Sequence, residues 1–209
     1  MFQHHPDESS DFLPSLTRSF TNIDVQQPIS TQEFVDACAK VTPIFDHIGT
    51  VFVFAKHEFE TKRNTVAAQA SEKPLLNDIV EAGKADATIT VKNSPGRNLH
   101  RLLNTLAFIS AIFKGLQCGK SLKDAVSTAY DETLGLLHAW VVRTGIKAGM
   151  LGLPTREHFF KSIGETEESA KKHGDGFIEA ADSIVKAIEA LYAGVEMPKS
   201  DFTMKSLWG

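Results

Sequence analysis

The chain has 209 residues, 42% hydrophobic and 23% charged, proportions of a globular protein with a substantial core. Its 22 basic and 26 acidic side chains leave a formal charge of −4, which excludes a nucleic-acid binder that works by bulk electrostatic attraction. Any anion site must therefore be local, a few placed cations on an acidic body. The longest apolar stretches, 48–55 and 106–113, fall short of the roughly 18 residues a membrane span needs. The first ten residues carry His4, His5, Asp7 and Glu8 and lack the apolar run of a signal peptide. A cytoplasmic protein that touches membranes only peripherally is expected. Cys38 and Cys118 stand beside apolar residues, in no CxxC spacing, and are expected to be reduced, buried thiols.

The periodicity is helical almost throughout. A first helix is predicted over 10–22, with Phe12, Leu13, Leu16 and Phe20 on one stripe. Ser30-Thr31-Gln32-Glu33 has the form of a capping box, and the helix it opens carries Phe34, Val35 and Cys38 up to a break at Pro43. A long helix follows over 44–70: Phe45, Ile48, Phe52 and Ala55 are spaced by three and four, and Val51 and Phe54 widen the stripe. Pro74 opens a short helix to about residue 84. Residues 86–95, with Ala87-Thr88-Ile89-Thr90-Val91, fit an extended segment. Ser94-Pro95 then starts a helix with Leu99, Leu102, Leu103, Leu106, Ile109, Phe113 and Leu116 as its core stripe. Gly119 ends it, and Ser121 begins the next, which carries Val126 and Tyr130. Residues 134–151 are strongly apolar but hold Arg143 and Lys147, as expected of a buried helix with one wet face. Leu153-Pro154-Thr155-Arg156 restarts the chain, and a last amphipathic helix covers 165–192. About eight helices in two layers make one all-α domain over 1–209, with irregular termini at 1–9 and 196–209.

Charges on otherwise apolar helices are the candidates for chemistry. Arg97 and Arg101 lie four apart, one turn above the other on one face. They sit in the first turns of their helix, where the macrodipole disfavours cations and favours anions. Arginine's planar fork suits phosphate oxygens, yet on spacing alone a solvated face or internal ion pairs is the plainer reading. Glu58 and Lys62 form a second pair four apart, enough to support a helix by about 0.2–0.5 kcal/mol. His138 stands alone in an apolar run, where a core histidine is the plainer reading. Enzyme signatures are missing: His57-Glu58 lacks the second histidine of HExxH, and no GxSxG, P-loop or dinucleotide fingerprint occurs. No metal or cofactor is expected.

Taken in order, four segments resemble the glycolipid transfer protein family, and within it the ceramide-1-phosphate branch that includes the plant accelerated-cell-death proteins. They are Phe54-Ala55-Lys56-His57-Glu58-Phe59-Glu60-Thr61-Lys62, Arg97-Asn98-Leu99-His100-Arg101, Leu137-His138-Ala139-Trp140-Val141-Val142-Arg143, and Leu153-Pro154-Thr155-Arg156. The resemblance covers about 12–192. It implies a carrier that moves a sphingolipid between membranes without covalent chemistry. It further implies that Lys62, Arg97 and Arg101 hold the phosphate, that Glu58 accepts from the ceramide amide N–H, and that His138 donates to the amide carbonyl oxygen. The family's acid is normally aspartate, so Glu58 is one methylene longer. The glycolipid-specific branch places a sugar-stacking tryptophan where this chain has Arg101, which favours a phosphate over a sugar.

A carrier is needed because each CH₂ left in water costs about 0.8 kcal/mol, on the order of 12 kcal/mol for a chain of about sixteen carbons. Phe45, Ile48, Phe52, Leu103, Leu106, Phe113, Leu137 and Val141 are the candidates for the chain pocket. Trp140 is the candidate for membrane docking, since indoles favour the interface, with Arg143 and Lys147 facing anionic lipids. The expected partners are a sphingolipid and, transiently, a membrane surface; the chain is expected to act as a monomer. Glycosphingolipid transfer, or lipid sensing without transfer, are the alternatives.

Overall fold

The computed structural model describes residues 12–199. Their regular structure is helical: α1 Phe12–Thr21, α2 Thr31–Val41, α3 Ile44–Ile48, α4 Val53–Ala67, α5 Leu76–Ala85, α6 Pro95–Gln117, α7 Leu122–Glu132, α8 Trp140–Gly149, α9 Arg156–Ser162 and α10 Glu167–Leu191. Short 3-10 turns lie at Thr50–Phe52, Leu134–Leu136 and Met150–Gly152. The helix starts follow local chemistry. Ser30 Oγ accepts from the Glu33 N–H, Ser94 from Arg97, Ser121 from Asp124 and Thr155 from His158, at 3.1–3.3 Å. Each supplies an oxygen to a backbone donor that a helix end leaves unsatisfied.

Three segments depart from expectation. The helix predicted over 44–70 is broken at Gly49, whose φ of 144° and ψ of 161° suit glycine alone. The chain re-enters through a 3-10 turn, and the changed register leaves Phe54 exposed instead of on the core stripe. Residues 86–94 form turns instead of an extended segment, and Pro95 already belongs to α6; Ala87 and Asn93 stand at positive φ and Ile89 is buried. The apolar stretch 134–151 is not a buried helix. It divides into a 3-10 turn, a short link through His138, and α8, which buries none of its residues. Apolar content says a surface prefers to be covered; it does not say that this chain covers it.

The core lies between two layers. In one, α2 packs against both α1 and α4; in the other, α6 packs against both α7 and α10. The α1–α10 and α4–α6 contacts join the layers. The whole predicted stripe of α6 is buried, and the buried side chains form one contiguous cluster. Edge-to-face packing of Phe20 and Phe113 on Phe177, at 5.5 and 5.4 Å, ties α1 and α6 to α10. Cys38 is buried in this cluster, whereas Cys118, at the end of α6, is exposed, contrary to the expectation of two buried thiols. Both are free cysteines.

Candidate functional site

The long axis of α6 positions the first part of the site. Arg97 and Arg101 are each only 7% exposed, so they are not a solvated face. Burying a guanidinium costs several kcal/mol unless its donors are met. The fold meets some of them with backbone carbonyls: Arg97 Nη1 donates to Thr90 O at 2.5 Å, and Arg101 Nη2 donates to Pro198 O at 2.7 Å. The turns at 86–94, immediately before α6, and the segment after α10, far along the chain, thus close on the two arginines. Tyr192 reinforces that second closure. Its Oη donates to Gly96 O at 2.5 Å, and its ring packs edge-on against His100 at 5.0 Å.

The second part lies on α4. Phe59 is buried against Phe45, which turns Glu58 and Lys62 toward the helix flank. The two form an ion pair, with Lys62 16% and Glu58 66% exposed. A stack of Phe52 on Phe108, centroids 5.8 Å apart, pins the start of α4 to α6. Lys62 lies ten residues beyond Phe52 and Arg101 seven before Phe108, distances of about 15 and 10 Å along their helices.

The third part is His138, half-buried between the Leu134–Leu136 turn and α8. Its Nδ1 lies 2.8 Å from the Tyr130 Oη on α7. A groove of about 280 Å³ opens nearby, lined by His100, Leu103, Asn104, Ala107, Leu136 and Leu137, with Glu132, Thr133, Val185 and Glu189. Two of the proposed chain-pocket residues, Leu103 and Leu137, therefore line a cavity. Phe45, Ile48, Phe52, Leu106 and Phe113 fill the core, and Val141 is exposed on α8. Val141 was expected to be covered because the run around it is apolar; α8 instead turns outward.

Exposed apolar side chains flank His138 and the start of α4, which α8 meets through the Thr50–Phe52 turn. Trp140 is 74% and Phe54 84% exposed, and Val53, Leu136, Val141 and Leu151 are also exposed. Periodicity placed Phe54 in the core and gave no sign of Leu136 or Leu151. Arg143 and Lys147 on α8 reach the Asp131 carboxylate of α7, at 3.7 and 2.9 Å. The docking cations expected from sequence are thus partly neutralised. Among the described residues no group of three or more His, Cys, Asp or Glu side chains is placed to hold a metal, and no helix is long and apolar enough to cross a membrane.

A family model described as glycolipid transfer protein matches residues 29–165. The chain belongs to the glycolipid transfer protein family. Within it, an ACD11 homolog protein of Arabidopsis thaliana is 32% identical over 169 residues, covering 80% of this chain and 74% of its own. Among solved structures, an Arabidopsis accelerated-cell-death 11 variant complexed with ceramide-1-phosphate superposes with a TM-score of 0.85 at 23% identity, over 92% of this chain and 99% of that one. Human ceramide-1-phosphate transfer protein, also complexed with ceramide-1-phosphate, superposes with a TM-score of 0.79 at 18% identity, over 88% and 98%. The glycolipid transfer protein fold is therefore common to all three.

Proposed function

We propose that the protein carries a phosphorylated sphingolipid, ceramide-1-phosphate foremost, between membranes and performs no covalent chemistry. The observation that carries this reading is the pair of buried arginines, Arg97 and Arg101, one turn apart at the start of α6. Two like charges so close and so dry are most favourable with an anion between them. The planar donor fork of each suits phosphate oxygens, which it can meet with two parallel hydrogen bonds. The relatives bound to ceramide-1-phosphate support the same headgroup.

In this reading Lys62 supplies a third cation. It leaves Glu58 for the phosphate, and the freed carboxylate accepts from the ceramide amide N–H. His138 donates to the amide carbonyl oxygen. The groove at Leu103 and Leu137, where apolar side chains of α6, α10 and the Leu134–Leu136 turn meet polar ones of α6, α7 and α10, is where a chain starts to leave water. The exposed face at Phe54, Trp140 and Leu151 rests on the bilayer during loading, because a patch of that kind marks a surface that meets an apolar partner.

Transfer between donor and acceptor vesicles, measured in parallel for ceramide-1-phosphate and galactosylceramide, tests the proposal. Faster transfer of the phosphorylated lipid is expected; equal or faster transfer of the sugar lipid would overturn the headgroup assignment. Saturable binding without transfer would make the protein a sensor. Arg101→Leu is expected to abolish ceramide-1-phosphate transfer while the far-ultraviolet circular dichroism keeps its helical form.

A further inference from the structure

Tyr130 is buried near the end of α7, eight residues before His138 and with no assigned part in headgroup binding. Its Oη stands 2.8 Å from His138 Nδ1, with the rings tilted at 41° and centroids 5.7 Å apart. The approach depends on the Leu134–Leu136 turn folding back over the end of α7. A Cβ at Gly135 would lie 2.7 Å from the Tyr130 carbonyl oxygen, a backbone atom that cannot swing away, so the turn closes this tightly only around glycine.

The direction of the hydrogen bond follows from the inventory of donors and acceptors. A phenol carries one proton, and a neutral imidazole has one nitrogen that donates and one that accepts. A buried hydroxyl left without an acceptor costs about 1–3 kcal/mol. Among the described residues, His138 Nδ1 is the acceptor recorded for the Tyr130 proton. Burial, aided by Asp131 and opposed by Arg143, pushes the phenol up to about 12, so it keeps that proton at any physiological pH.

We propose that Tyr130 is a positioning residue of the headgroup site: it donates to Nδ1 of neutral His138 and so holds the imidazole in the tautomer that carries its proton on Nε2. That tautomer is the one able to donate to an amide carbonyl oxygen from the ring's outer nitrogen. In the opposite tautomer Nε2 is a lone pair facing the carbonyl lone pairs, and the contact is repulsive. The arrangement is the same as that by which an outer partner fixes a working histidine elsewhere. The proposal deepens the ceramide assignment and rests on it for the lipid contact, but not for the tautomer.

Two measurements separate those parts. In the ligand-free protein, long-range ¹H–¹⁵N spectra of the histidine rings report which nitrogen is protonated, with the His138 signals assigned by their loss in His138→Gln. The expected pattern is a protonated Nε2 and an Nδ1 shifted by an accepted hydrogen bond, the shift being lost in Tyr130→Phe. A protonated Nδ1 in the wild type would overturn the proposal, whether or not the variant folds. In vesicle assays Tyr130→Phe is expected to lower ceramide-1-phosphate transfer about tenfold with its helical signal intact; unchanged transfer would also overturn it. A wild type that transfers no ceramide-1-phosphate sinks the functional reading and the lipid contact with it, while the ring spectra still decide whether Tyr130 sets the tautomer.

Discussion

His100 sits one residue before Arg101, where burial first, and then the charges of Arg101 and Arg97, push its pKa down to about 4. The imidazole is therefore neutral in the folded chain over a range in which an exposed one, near 6.5, takes up a proton. Between these values the unfolded state binds more protons than the folded state, so stability is full above about 6.5 and falls as the pH drops toward 4. Urea denaturation at pH 7, 6 and 5 is expected to show a smaller acid loss for His100→Gln than for the wild type. Equal losses would remove His100 as the source. The two cysteines form a similar contrast. Burial pushes the Cys38 thiol up, with Arg63 opposing only in part, whereas Cys118 is exposed. Because the thiolate is the reactive species, a maleimide should label the native protein once, at Cys118, and a second time only after unfolding.

Between elements, Arg156 joins three helices. Its Nη1 donates to Leu116 O at 2.5 Å and Lys120 O at 3.2 Å, at the end of α6. Its Nε and Nη2 reach the Glu167 carboxylate in the first turn of α10, at 2.8 and 2.6 Å. The guanidinium also lies 5.2 Å from the centre of the Phe160 ring on α9. The arginine therefore satisfies carbonyls that a helix end leaves open and balances a carboxylate at a positive helix start. Arg156→Ala should lower unfolding stability by about 1–3 kcal/mol, read from the urea midpoint at constant slope, and leave the preference between lipids unchanged. Arg156→Lys should recover little, because one ammonium cannot span the carbonyls, the carboxylate and the ring face together. A fully stable lysine variant would show that charge alone matters there.

Across the whole molecule, the exposed side chains of α4, α8 and their flanking 3-10 turns form the apolar face, while the nearby cations are tied to Asp131. Attraction to a bilayer should then come from Phe54, Trp140 and Leu151 more than from charge. Burial of one such side chain is worth about 1.5–3 kcal/mol, so Phe54→Ser or Trp140→Ser should weaken sedimentation with vesicles about tenfold or more. Salt should change wild-type binding to neutral vesicles little. Asp131→Asn releases Arg143 and Lys147 and is expected to raise binding to anionic vesicles specifically, an increase that salt then screens. No gain on anionic vesicles would mean that these two cations do not face the bilayer.

What the sequence determined by itself is local. Helix periodicity and the helix starts at Ser30, Ser94 and Ser121 rest on contacts three or four residues apart, so they were legible before any tertiary contact was known. The α6 core stripe was legible for the same reason, and the motif resemblance pointed to Glu58, Lys62, Arg97, Arg101 and His138 as the candidate site. Tertiary structure decided the environment of each. Spacing left Arg97 and Arg101 between a solvated face and a site; their burial depends on the carbonyls of Thr90 and of Pro198, the latter 97 residues from Arg101. Spacing likewise left His138 without its Tyr130 partner, because that contact requires a turn to fold back over a helix end. The apolar run 134–151 and Phe54 were placed inside by composition and stripe, and the fold put much of that apolar surface outside. Hydrophobicity fixes only the energy gained on leaving water; whether a side chain does so in this chain or in a membrane is set by what packs over it.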